Sequence, residues 1–139
     1  MIYIKKHFWV VVVLSFSVIL AGCARGEVLR IGTPFNDEGG EGINFYNEIT
    51  DSEAIETLRE SVKNADEIDQ PIELRQESDV FISLDKTKKG ISEIQRYIYY
   101  QEDGSSILSV DGVSGSDEFP DRYFTLNEKQ TDELKNVLQ

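Results

Sequence analysis

Asp79-Val80-Phe81-Ile82-Ser83-Leu84-Asp85 and, after a turn, Glu93-Ile94-Gln95-Arg96-Tyr97-Ile98-Tyr99-Tyr100-Gln101 decide the fold of this chain. In the first run Val80, Ile82 and Leu84 recur at every second position, the period of a strand whose side chains alternate between two faces. The second run repeats the pattern, with Ile94, Ile98 and Tyr100 on one face and Tyr97 and Tyr99 on the other beside Gln95 and Gln101. Lys86 to Gly90 is polar and ends in glycine, so it reads as the turn between them. The pair is the start of an antiparallel meander.

The same reading extends in both directions. Downstream, Asp103-Gly104 is a hairpin-turn signal before a strand at Ile107 to Val110. Asp111 to Asp121 is a polar loop and Arg122 to Leu126 a last strand. Asn127 and Gln130 have the spacing of an N-cap and its reciprocal partner, and Leu134, Val137 and Leu138 give the helix that follows an apolar face. Upstream, Val28 to Ile31 reads as a short first strand, and Asn36 to Gly42 as a flexible acidic loop. Thr50-Asp51-Ser52-Glu53 fits a capping box with Thr50 as N-cap. Ile55, Leu58, Val62 and Ala65 then follow at helical spacing, and Pro71 closes the connection. The expected fold is α+β: one domain over residues 28–139, with an antiparallel sheet of four to five strands and two helices packed on one face.

Ahead of this domain stands a leader. Lys5, Lys6 and His7 form a positive start, and Phe8 to Gly22 an apolar run of 15 residues. The run ends in Leu20-Ala21-Gly22-Cys23, which resembles the lipobox of bacterial lipoproteins at all four positions. A helix of this length would rise roughly 22 Å against a hydrocarbon core of about 30 Å, short for a span. The expected organisation is a signal peptide over residues 1–22 cleaved between Gly22 and Cys23, then a lipidated Cys23 with a short tether to residue 27. Two acyl chains of the palmitate type on a diacylglyceryl group would bury on the order of 20 kcal/mol of methylene surface, enough for stable anchoring. The expected location is the extracytoplasmic face of a cell membrane.

Cleavage strips the chain of much of its chemistry. His7 and Trp9, the single histidine and tryptophan, leave with the signal, and the single cysteine is consumed by the lipid. Ser-His-Asp and Cys-His catalysis are thereby excluded within one chain, as are zinc sites built from Cys and His. Loss of Lys5 and Lys6 takes the basic count from 14 to 12 against 26 acids, a net charge of −14 that repels nucleic acid. Lys86, Lys88 and Lys89 read as a solvated turn. The acidic loops at Asn36 to Gly42 and Asp111 to Asp121 lack the ligand spacing of a calcium loop, so neither metal nor cofactor is expected.

The remaining candidate is the tyrosine face. Tyr97 and Tyr99 are either ordinary sheet residues covered by a loop or a pair of aromatics on an open face, suited to a peptide or glycan. The helix from Ile55 to Ala65, the strand ending in Tyr97-Ile98-Tyr99-Tyr100 and the closing Arg122 to Lys129, together with the lipobox, resemble the YhfM-like domain of small Gram-positive lipoproteins. That resemblance implies an envelope location and an α+β fold, and transfers no catalytic residue. The expected role is non-enzymatic binding or scaffolding of an envelope protein, peptide or glycan. The alternative is a carboxylate-dependent envelope hydrolase, for which two suitably spaced acids suffice.

Overall fold

Ile82 and Leu84 are fully buried on one side of their strand, and Phe81 and Ser83 are buried on the other. A strand covered on both faces belongs in the middle of a sheet. The computed structural model describes residues 26–139 and places it there. The elements run β1 (Glu27–Asp37), β2 (Gly40–Ile49), α1 (Ser52–Lys63), β3 (Asp66–Ile68), β4 (Val80–Lys86), β5 (Ile91–Tyr100), β6 (Ser106–Val110), β7 (Arg122–Leu126) and α2 (Glu128–Val137). All seven strands lie in one antiparallel sheet, ordered β2-β1-β4-β5-β6-β7-β3. The fold is α+β as expected, but the sheet has seven strands rather than four to five.

Both helices contribute to a single core. Ile55 and Leu58 of α1 and Leu134 of α2 join Leu29, Ile31, Ile82, Leu84, Ile98, Leu108 and Leu126 from five strands. Only one polar pair is fully buried at this contact: the hydroxyls of Ser106 and Thr131 lie 2.9 Å apart, so neither is left unsatisfied.

The missed strands have physical reasons. Asn36 to Gly42 is not a flexible loop: β1 runs through to Asp37 and turns at Glu38-Gly39 into β2. The Asp37 carboxylate accepts from the Gly39 amide at 2.8 Å, and Gly40 supplies a φ of 122°. β2 is an edge strand, half polar and mostly exposed, so it lacks the alternation that betrays a buried strand. β3 has three residues, too few for any periodicity. The first helix is capped by Asp51 rather than Thr50, its side chain accepting from the Ala54 amide at 3.0 Å. The expected Asn127–Gln130 capping box is formed in both directions, at 2.8 and 2.9 Å.

Two bulges decide which side chains face where. Between β1 and β2 the register jumps, so that Ile31 opposes Asn47 but Gly32 opposes Phe45. Tyr46 is the extra residue, and skipping it turns Phe45 to the helix-free face. A second shift sets Leu84 against Ile94 but Asp85 against Ser92. Ser92 then donates to Asp85 at 2.6 Å, while the extra residue, Glu93, accepts from Arg59 of α1 at 2.7 Å and pairs with Lys86 at 3.0 Å. Arg59 also reaches Glu27 at 2.5 Å, fastening α1 to the first residue of the sheet. These carboxylates hold the Arg59 guanidinium firmly protonated, above its ordinary range, the hydrogen bond it donates to Glu93 being the main cause.

Leu58 is completely buried among both layers. Leu58→Ala should cost about 2–5 kcal/mol, read as a fall in the urea midpoint without a change in slope. A loss below about 1 kcal/mol would mean that the helix does not cover the sheet as described.

Candidate functional site

The helix-free face carries one lateral row of aromatics, set by strand register. Phe45, Gly32, Phe81 and Tyr97 are successive neighbours across β2, β1, β4 and β5. Phe81 lies 4.8 Å from Tyr97 and 6.2 Å from Phe45, centroid to centroid and tilted, a favourable aromatic geometry. Gly32 makes the row possible. A Cβ there would stand 2.5 Å from the Ile43 side chain and 2.8 Å from the Asn44 carbonyl oxygen, so the bulged arm can approach only where no side chain projects.

Beyond Gly32, β1 pairs with β2 alone. This two-stranded arm, the connection before β4 and the start of the loop after β6 enclose a hollow of about 650 Å³. Phe35 and Glu41 come from the arm, Gln76, Glu77 and Ser78 from the connection, Tyr97 and Tyr99 from β5, and Asp111 from just past β6. Strand parity accounts for the last: Ser109 opposes Tyr97, so two residues on Asp111 faces the same way.

Tyr97 and Tyr99 therefore lie on the face expected for them, and they differ in cover. Tyr99 is buried and Tyr97 half-buried at the rim. The Tyr97 phenol interacts electrostatically with the Asp111 carboxylate, and Tyr99 with Ser109. Burial, and then the negative charge of Asp111, push the Tyr97 phenol upward. Burial does the same to Tyr99. Asp111 is raised above the usual carboxylate range by burial first and by repulsion from Asp121 second, with the Tyr97 phenol opposing both. Asp121 is itself fixed, accepting from the Gly112 amide at 2.6 Å, and Val113 N–H closes the same loop onto the Phe119 carbonyl at 2.8 Å.

Sequence reasoning weighed Asp111 and Glu41 only as members of acidic loops lacking calcium-ligand spacing, and did not single out Phe35 or Ser78. Asp111 was legible from the parity of β6, had the strand been carried one step further. The arm was not, because its glycines and acids read as a loop. Cys23 and the Gly22–Cys23 cleavage position lie outside the described residues. Among the described residues no group of three His, Cys, Asp or Glu side chains is placed to hold a metal ion, and no helix is long and apolar enough to cross a membrane.

No family model, curated protein or solved structure matches this chain. The site must be read from its own chemistry. It offers aromatic side chains, carboxylates and a hydroxyl.

The Tyr97 phenol is the one group that lowers Asp111. Tyr97→Phe should move the Asp111 titration upward, followed by its carboxyl carbon shift against pH. An unchanged or lowered midpoint would mean that the two side chains do not meet.

Proposed function

We propose that this chain is a lipid-anchored, extracytoplasmic lipoprotein domain that binds an envelope protein, peptide or glycan through the hollow beside Tyr97 and Tyr99. The observation that carries the reading is the hollow itself: a built concavity with aromatic walls on the face that the helices leave uncovered. Location rests on the Leu20-Ala21-Gly22-Cys23 signature, and the likeness to YhfM-like lipoproteins agrees with it.

The tether geometry supports the same reading. The Thr87 amide donates to the Gly26 carbonyl at 2.7 Å and its hydroxyl to the same oxygen at 3.0 Å, so the Lys86–Gly90 turn lies against the chain three residues after Cys23. Because Glu27 already pairs in the sheet, the free tether is shorter than the sequence suggested. This turn then lies at the end of the domain nearest the proposed anchor, with Lys86 paired to Glu93 at 3.0 Å. The hollow sits toward the other end of β1, away from that turn.

A second reading, a carboxylate-dependent hydrolase, has one observation in its favour: Asp111 is a half-buried acid in a hollow with its pKa raised. It is the lesser reading. Asp121, the acid whose charge acts on Asp111, is engaged by the Gly112 amide and so is not free to serve as its partner acid.

Cys23→Ser tests the anchor. The variant should retain its leader and fail to incorporate labelled fatty acid, while the parent is processed to a chain beginning at Cys23. A variant processed and partitioned like the parent would overturn the location.

A further inference from the structure

We infer that the turn between β4 and β5 docks on the lipid leaflet that holds the anchor, with Lys88 and Lys89 against anionic headgroups and Ile91 in the apolar margin beneath them. The inference rests on lipidation of Cys23 and adds a second contact, made by protein, that fixes how the domain stands on the membrane. Gly26 follows Cys23 by three residues, so even an extended chain keeps the two within about 11 Å. The turn is fastened to Gly26 through both Thr87 hydrogen bonds. The Lys88 stem also lies over that glycine, so closely that a Cβ there would stand 2.7 Å from the Lys88 Cγ. Salt confines headgroup attraction to about 8 Å, and the tether holds this turn close to that range.

Charge supplies the second, independent indication. The chain is strongly acidic, but the acids around this turn are already paired. Glu27 and Glu93 lie 2.5 and 2.7 Å from Arg59, and Asp85 lies 3.5 Å from Arg30. Lys88 and Lys89 stand exposed beyond these pairs, and the Lys89 ammonium meets no carboxylate among the described residues. β1 is 11 residues long, roughly 36 Å, so the acids at its far end are several screening lengths from the leaflet. Ile91 follows Gly90 directly and is 52 % exposed, an apolar side chain beside two lysines, the pairing that suits a lipid interface. The loop after β6 leaves the sheet at the same end, because β4 and β6 both run antiparallel to β5. Its Asp117 and Glu118 are repelled by anionic lipid, which leaves the basic turn two strands away as the foot of the domain.

The mature chain makes the test simple, since Cys23 is its one thiol and Trp9 has left with the leader. The chain from Cys23 to Gln139 is coupled through that thiol to a maleimide lipid in vesicles of phosphatidylcholine, alone or mixed equally with phosphatidylglycerol. Ile91→Trp then carries a single tryptophan at the turn, and Glu102→Trp a control in the turn between β5 and β6, at the opposite end of the sheet. Brominated acyl chains should quench Ile91→Trp severalfold more than Glu102→Trp, and more strongly when phosphatidylglycerol is present. Lys88→Gln with Lys89→Gln should bring that quenching down to the level seen in phosphatidylcholine alone, as should high salt. Tryptophan itself favours an interface, so the lysine pair is the deciding comparison. Quenching indifferent to the lysines and to anionic lipid, or equal at both ends of the sheet, would overturn the inference. So would an Ile91→Trp that is not quenched at all. The synthetic anchor makes each of these results independent of native lipidation, which the Cys23→Ser variant tests separately.

Discussion

The alternation of β4 and β5, and the register that joins them, is the constraint on which the rest of the molecule depends. Val80 opposes Ile98, Ile82 opposes Arg96 and Leu84 opposes Ile94 on the helix side, while Phe81 opposes Tyr97 on the other. A slip by one residue would exchange these faces, placing phenol and carboxamide groups against Leu58 and Leu134 and the aliphatic set in water. Burial of the eleven apolar side chains of the core cluster therefore fixes the helix-free face as well. The aromatic row and the hollow follow from the packing of the opposite side.

Bulges set the chemistry of both faces. The skip at Tyr46 turns Phe45 over to meet Phe81, and the skip at Glu93 releases a carboxylate toward Arg59. A strand of strict period two could do neither. Tyr46 with its neighbours Glu41 and Glu48 also leaves the outer edge of β2 kinked and acidic, which discourages pairing with a second sheet.

Legibility in the sequence followed burial. β4, β5, β6, β7 and both helices could be read because each presents apolar side chains to one core, interrupted in β5 by Arg96, and the Asn127–Gln130 cap could be read because its chemistry is local. The arm could not. Its glycines and acids around Glu38-Gly39 read as a loop, and its mostly exposed second strand lacks the apolar alternation of a buried one. Tyr97 and Tyr99 were visible as a pair on one face. Their setting was not, since Glu41, Ser78 and Asp111 reach the same hollow from three separate segments. The one-residue displacement of the first N-cap, from Thr50 to Asp51, arises because both side chains can accept from a first-turn amide and the backbone entering from β2 selects the second.

Charge is distributed to match. The basic turn at Lys86 to Gly90 is stitched to the start of the chain's ordered part, and the hollow gathers acids near the other end of the arm.

The most direct measurement is the set of nuclear Overhauser contacts made by the Tyr97 ring. Facing away from the helices, it should contact the ring protons of Phe81 and show none to the methyls of Leu58 or Leu134. Contacts from Tyr97 to either leucine, with Phe81 silent, would mean that the register of β4 and β5 is shifted and that the hollow does not exist.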